Sequence, residues 1–307
     1  MQKVLVSGSL AYDYLYTFSG NFRDNFAIGA KNLNVAFNVS EKTVNFGGCA
    51  GNIIFNARLI NEDFVLLGIA GHDFGEYKKW LNKNKINTDD VIIDNSQYTS
   101  QAVVATDEKN QQIILFYEGA AKMSSNYSNE IKAAVKKHAT AGCCLAIISP
   151  NNKSFMMETI SACKDAGIAY FFDPGQAMPL FSGEELQKVC ESAYGLFLNE
   201  SELALLAERL NMQSSKVVEI CPLTVVTLGE KGAKIYFKDK GIDIPTQKVA
   251  TPADPTGCGD AFRAGFLAVV QNHFPKLSED ILVKAGNLGT KLAVRCIMKV
   301  GTQNHAI

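Results

Sequence analysis

Six strand-length segments dominated by apolar residues, separated by stretches of helical spacing, constrain this chain more than any other feature. They are Val4–Leu10, Phe64–Ala70, Leu145–Ser149, Ile168–Asp173, Gly195–Asn199 and Leu223–Thr227. A strand with one wet face alternates polar and apolar residues, whereas a run of consecutive apolar residues fits a strand covered on both faces. Between most of them lie helical patterns: Gly51–Ile60 (Ile53, Ile54, Ala57, Ile60), Ser154–Ala166 and Ser201–Leu210. Strand and helix in alternation predict an α/β fold, a mostly parallel central sheet with helices on both faces. The 307 residues suffice for one large α/β domain or two ordinary ones.

Two segments break the rhythm. Residues 14–45 hold aromatic and apolar residues with polar spacing but no long helix. Residues 98–119 read as a hairpin, Ser100–Thr106 and Gln112–Tyr117 around a turn at Asp107-Glu108-Lys109-Asn110. Together they predict a small β-sheet lid over the mouth of the main sheet. The core then comprises 1–13, 46–97 and 120–307. A small sheet cannot bury both faces alone, so the second is left for a substrate, a partner subunit in a homodimer, or both. The chain ends in two helical patterns, Ala261–Gln271 and one running from Ser278 to Ile297.

Thirty basic residues against 31 acidic give a net charge of −1, which argues against nucleic acid as a partner. There is no run of eighteen apolar residues and no signal-peptide pattern, so no membrane partner and a cytoplasmic location are expected. The eight cysteines form no Cys-x-x-Cys pair and are expected as free thiols.

The chemistry concentrates in Asp254-Pro255-Thr256-Gly257-Cys258-Gly259-Asp260, which opens a helical pattern. Glycines let successive N–H groups face one point, and a helix start adds positive potential, which makes an anion cradle. A carboxylate repels phosphate, so Asp260 makes sense where a neutral hydroxyl must reach the phosphate and lose a proton. Asp is also a favoured helix cap, and that reading stands beside the first.

Gly47-Gly48-Cys49-Ala50-Gly51-Asn52 is a second glycine cluster, with an amide suited to sugar hydroxyls or to capping a tight turn. Asp13 follows the first strand, where a carboxylate faces the ligand crevice of a parallel sheet and can accept from two vicinal hydroxyls. Thr227-Leu228-Gly229-Glu230-Lys231-Gly232 suits a nucleotide loop or an ordinary hairpin turn. Asn199-Glu200-Ser201-Glu202 suits either a hydrated Mg²⁺ or plain helix capping, with Ser201 available as the cap. Neither G-x-G-x-x-G nor a P-loop is present.

In their order these motifs resemble the ribokinase-like (PfkB) carbohydrate and nucleoside kinases over essentially the whole chain. Gly47-Gly48 with Asn52 resembles that family's N-terminal signature, and Asp254 to Asp260 its C-terminal one; Cys258 stands where Ala or Gly is common. Asp173-Pro174-Gly175-Gln176, Asp260-Ala261-Phe262-Arg263-Ala264-Gly265 and Gly301-Thr302-Gln303-Asn304-His305 are most similar to bacterial adenosine kinase-like members. The resemblance implies an ATP-dependent kinase acting on the 5′-hydroxyl of a nucleoside, adenosine to AMP first. Inosine, guanosine or cytidine, a ribose- or fructose-type sugar, and a catalytically silent binding protein are the alternatives.

It further implies Asp260 as catalytic base and Gly257, Cys258 and Gly259 as the anion hole. Asp13, Gly47, Gly48 and Asn52 would hold the sugar, with Phe37 and Phe116 as aromatic faces for a base. Asn199, Glu202, Thr227, Gly229, Gly232 and Asn287 would serve ATP, with Mg²⁺ reached from Asn199 and Glu202 through water. A K⁺ ion would lie by Asp254, Thr256 and Gly301. At a helix start, Asp260 is expected to be a weak base, its ionised form favoured.

Overall fold

The computed structural model describes residues 3–25 and 35–306. Residues 26–34 of the expected lid segment lie outside the described residues. The first half comprises β1 (Val4–Ser7), β2 (Ala11–Phe18), β3 (Val39–Gly47), α1 (Cys49–Leu59), β4 (Val65–Gly71), α2 (Gly75–Lys83), β5 (Val91–Asp94), β6 (Ser100–Asp107) and β7 (Gln112–Tyr117). Then come α3 (Ser128–Thr140), β8 (Leu145–Ile148), α4 (Lys153–Asp165), β9 (Ala169–Phe172), α5 (Gly183–Ser192), β10 (Gly195–Asn199), α6 (Glu200–Arg209) and α7 (Ser214–Val217). The chain closes with β11 (Leu223–Thr227), β12 (Ala233–Phe237), β13 (Lys240–Ile244), α8 (Cys258–Val270) and α9 (Glu279–Ile297).

The main sheet runs β13-β12-β11-β10-β9-β8-β1-β4-β5. Its neighbours pair in parallel except β11–β12 and β12–β13. Consecutive apolar residues are explained by its two faces. Val4 and Val6 of β1 join one apolar cluster with Ile53 of α1, Phe266 of α8 and Leu292 of α9. Leu5 joins the other, with Phe155 of α4, Leu186 of α5 and Leu206 of α6. Each such side chain contributes about 1.5–3 kcal/mol on leaving water.

The lid is a four-stranded sheet ordered β3-β2-β6-β7, with β2 and β6 parallel from Ala11↔Ser100 to Phe18↔Asp107. One acid locks the hairpin turn: Asp107 accepts the N–H groups of Lys109 and Gln111, and from across the lid that of Phe22. The first strand stops at Ser7 rather than Leu10, because Ser9 turns its N–H to the Pro150 carbonyl at 3.0 Å. The lid sheet therefore starts at Ala11 and returns through Gly47, wider at both ends than 14–45.

Strand order places the ligand crevice. From β1 the sheet extends through β4 on one side and β8 on the other. The crossovers diverge there and leave a crevice at the carboxyl ends of the strands. Among the described residues no helix is long and apolar enough to cross a membrane.

Candidate active site

A cavity of about 720 Å³ fills that crevice. Its wall includes Ser9 beyond β1, Asn151 and Asn152 beyond β8, Asp173 beyond β9, Asn199 of β10 and Thr227 of β11. The lid adds Asp13, Ala102 and Phe116, and the α8 entry adds Thr256, Gly257, Gly259 and Asp260. A wider groove of about 1260 Å³ involves Tyr194, Pro222 and Lys238, at the opposite strand ends, and none of the motif residues.

The α8 entry supplies donors. Gly257 caps the helix at φ 79°, ψ −3°, left-handed space that side chains disfavour. The helix starts at Cys258, so Asp260 is its third residue and not its opening one. The Cys258 N–H is engaged by Pro255 O at 3.3 Å. Those of Gly257, Gly259 and Asp260 find no acceptor among the described residues, as the first turn of a helix requires. The donor set thus exchanges Cys258 of the expected trio for Asp260. Cys258 offers a thiol whose pKa the neighbouring Cys296 thiol pulls down against the effect of burial, and Cys296 itself donates to Thr256 O at 3.5 Å.

Asp260 is held from the side. Asn52 donates Nδ2 to Asp260 Oδ2 at 2.8 Å and accepts from Gln303 Nε2 at 3.1 Å. Gln303 also donates to Tyr77 Oη at 2.7 Å and accepts from Trp80 Nε1 at 3.0 Å, and Tyr77 donates to Gly47 O at 2.8 Å. Asn52 therefore meets the acid directly. Tyr77 and Trp80 carry no signal in the sequence, and Gln303 falls in the C-terminal loop Gly301–Gln303 expected beside a K⁺ ion rather than in the Asp260 network where the structure places it. Burial pushes the Asp260 pKa up, against Arg263 and the Asn52 hydrogen bond, with Glu202 adding to the rise. The expected helix-start effect is outweighed by desolvation, and Asp260 is a stronger base than the sequence suggested.

Asp13 lies against Gly47, where a Cβ would overlap its carboxylate. Burial, with Asp254 adding to it, pushes Asp13 up to about 6. Gly48 has φ 84°, and Ser9 takes the start of α1: its hydroxyl accepts Cys49 N–H at 3.0 Å and its carbonyl that of Ala50 at 3.1 Å. This glycine cluster is a tight turn bringing Asn52 to the cleft, and the first two N–H groups of its helix are already engaged by Ser9.

Asn199 and Glu202 form a reciprocal capping box, each side chain accepting the other's N–H at 2.8 Å. Asn199, not Ser201, is the cap. Both still face the cleft, and Glu202 keeps Oε1 free of these bonds. Gly229 and Gly232 belong to the tight turn joining antiparallel β11 and β12, and Asn287 is exposed on α9; none of the three lines the cavity. Phe37 packs edge-on against Phe18 and Phe22, with ring centroids 5.1 and 4.9 Å away, and is not in the cavity wall. Phe116 is in that wall and is 62% exposed. Asp254 ties two loops together, accepting Thr256 N–H at 2.9 Å and Gly301 N–H at 3.0 Å. These bonds bring Asp254, Thr256 and Gly301 together and leave each Asp254 oxygen a further acceptor position.

The model of the pfkB family carbohydrate kinases matches residues 1–307. The nucleoside kinase of Methanocaldococcus jannaschii is 28% identical over 99% of this chain and 93% of its own length. The structure of Burkholderia thailandensis nucleoside kinase in complex with inosine superposes with a TM-score of 0.82 at 30% identity, covering 99% of this chain and 93% of that one. The ribokinase of Thermotoga maritima, at 20% identity and a TM-score of 0.77 over 99% of this chain and 95% of that one, shares the fold.

Proposed function

This chain belongs to the pfkB family of carbohydrate kinases, phosphotransferases acting on hydroxyl groups, and we propose that its acceptor is the 5′-hydroxyl of a nucleoside, with ATP as donor. One juxtaposition carries the reading. Asp260 and three N–H groups with no partner among the described residues share a cleft with Asp13, and part of the wall is apolar, at Ala102, Phe116, Ala121, Ala177 and Leu180. The carboxylate suits a ribose diol, the apolar wall a purine face, and the donors a phosphate. Adenosine, yielding AMP, is the first acceptor; inosine, found with the Burkholderia enzyme, is the second.

In this reading Asp260, oriented by Asn52, aligns the hydroxyl and takes its proton. The transition state is loose, so alignment and the backbone donors supply most of the acceleration. The lid excludes water from the transferred group. The free Oε1 of Glu202 and the Asn199 side chain fit an Mg²⁺ that keeps its own water shell. Such an ion offsets phosphate charge when bound. β7 leaves Ile114, Leu115 and Phe116 exposed on an unpaired strand edge, which suits a second copy of the chain.

The test is phosphorylation of adenosine, inosine, guanosine, cytidine, ribose and fructose, with thermal shifts recorded in parallel. Turnover of at least one purine nucleoside above both sugars is expected. Turnover of ribose or fructose alone would replace the nucleoside reading, and stabilisation without turnover of any acceptor would mark a silent binder.

A further inference from the structure

The cleft wall carries five carboxylates, from Asp13, Glu118, Asp173, Glu202 and Asp260. It carries one cationic side chain among the described residues, Arg263. A triphosphate entering this wall meets mostly like charge. Arg263 lies one helical turn beyond Gly259 on α8, and helical side chains lean toward the N-terminus. Its guanidinium accordingly folds back under the donors of the first turn: a Cβ on Gly259 would stand 2.5 Å from Nη1. Asp173, at the end of β9, grips the opposite side, with Oδ2 2.6 Å from Nε and Oδ1 2.6 Å from Nη2. The Phe197 ring backs the group, 5.6 Å from Cζ. Nη1 has no hydrogen-bond partner among the described residues.

We propose that Arg263 is a further catalytic residue, held by Asp173 as its positioning residue so that Nη1 meets the charge of the migrating phosphoryl group. This rests on the kinase reading above. A rigid guanidinium is suited to the task, because Nη2 is hydrogen-bonded to the Asp173 carboxylate and Nε lies within ion-pair distance of it without a hydrogen bond, while Nη1 stays available to a phosphoryl oxygen. The same charge sits beside Asp260 and opposes the effect of burial on it. A purely structural ion pair joining α8 to β9 would also place Arg263 near Asp173, and the assays must separate the two roles.

Binding of ADP with aluminium fluoride and Mg²⁺, measured by calorimetry, needs no acceptor turnover and reports transition-state-like contacts. Arg263→Ala is expected to weaken that complex by about 30-fold or more while ADP alone weakens by less than about threefold. Wild-type turnover in the acceptor panel reports separately on the kinase reading. In turnover, kcat of Arg263→Ala should fall about 100-fold with nucleoside KM within about threefold, and added guanidinium chloride should restore at least about tenfold. Equal weakening of both ADP complexes, or a kcat loss that guanidinium leaves untouched, would overturn the proposal. Should Arg263→Ala fail to fold, Arg263→Lys takes its place. It keeps the charge but lacks the fork, so a kcat loss of about tenfold is expected, and wild-type kcat would overturn the assignment.

Discussion

Replacing Gly257 by alanine separates the fold of the α8 entry from its chemistry. The residue sits at φ 79°, and a Cβ there would stand 2.8 Å from Thr302 Cγ2. Alanine in left-handed space costs roughly 1–2 kcal/mol, and the displacement of Thr302 brings the total to about 2 kcal/mol. Unfolding entropy of roughly 2.1 cal/mol/K per residue, over 307 residues, converts this into a Tm decrease of about 3 °C. Activity should suffer far more. The Gly257 N–H is one of three donors with no partner among the described residues; alanine keeps this N–H, but relief of the strained φ and of the Thr302 contact re-aims it, and misdirecting one such donor lowers kcat about 100-fold or more. Gly142→Ala is the control. Gly142 has φ 91° with open space where its Cβ would lie, so it carries the backbone penalty without the site. Calorimetric unfolding and steady-state kinetics on both variants decide the matter. A kcat for Gly257→Ala within about fivefold of wild type, or an equal loss in Gly142→Ala, would refute the donor role.

Asp13→Ala should raise nucleoside KM by about 10- to 100-fold with kcat little changed, since hydrogen bonds to a charged acceptor contribute roughly 1.5–3 kcal/mol; a pure kcat loss in initial-rate kinetics would contradict the diol role. Ionised, Asp13 can accept from both hydroxyls of a diol, whereas protonated it turns one oxygen into a donor, and burial pushes its carboxyl up to about 6. The kcat/KM of the nucleoside should therefore decline as pH falls below about 6, and Asp13→Asn should lose that dependence on its own account. The folded state holds this proton more tightly than the unfolded chain, so the group favours folding at low pH and loses that contribution as pH rises through about 6. Asp13→Asn should accordingly melt higher than wild type at pH 8, and an equal or lower Tm would contradict the burial argument. Ile114→Lys on the exposed β7 edge should turn a dimer into a monomer in sedimentation; an unchanged species would place any interface elsewhere.

The fold was legible because its signals are local. Consecutive apolar residues such as Leu145 to Ile148 mark strands covered on both faces, and Asp107 marks a turn that its own carboxylate closes. The cradle was legible for the same reason, being written in seven adjacent residues. What escaped is long-range. Gln303 meets Asn52 across 251 positions and Arg263 meets Asp173 across 90, and no local pattern announces such pairs. The basicity of Asp260 was misjudged from the helix end alone, because desolvation depends on everything that folds around it. Phe37 was offered to the substrate, since an aromatic residue in a lid looks alike whether it faces a cleft or two other rings.

The central claim is that Asp260 receives the proton of the acceptor hydroxyl. Single-turnover phosphoryl transfer by Asp260→Asn, in protein verified as folded and still binding ATP and nucleoside, tests it most directly. The amide keeps the shape and removes the base, so the chemical step should slow by about 100-fold or more with both affinities nearly unchanged. A rate within about tenfold of wild type would contradict the account.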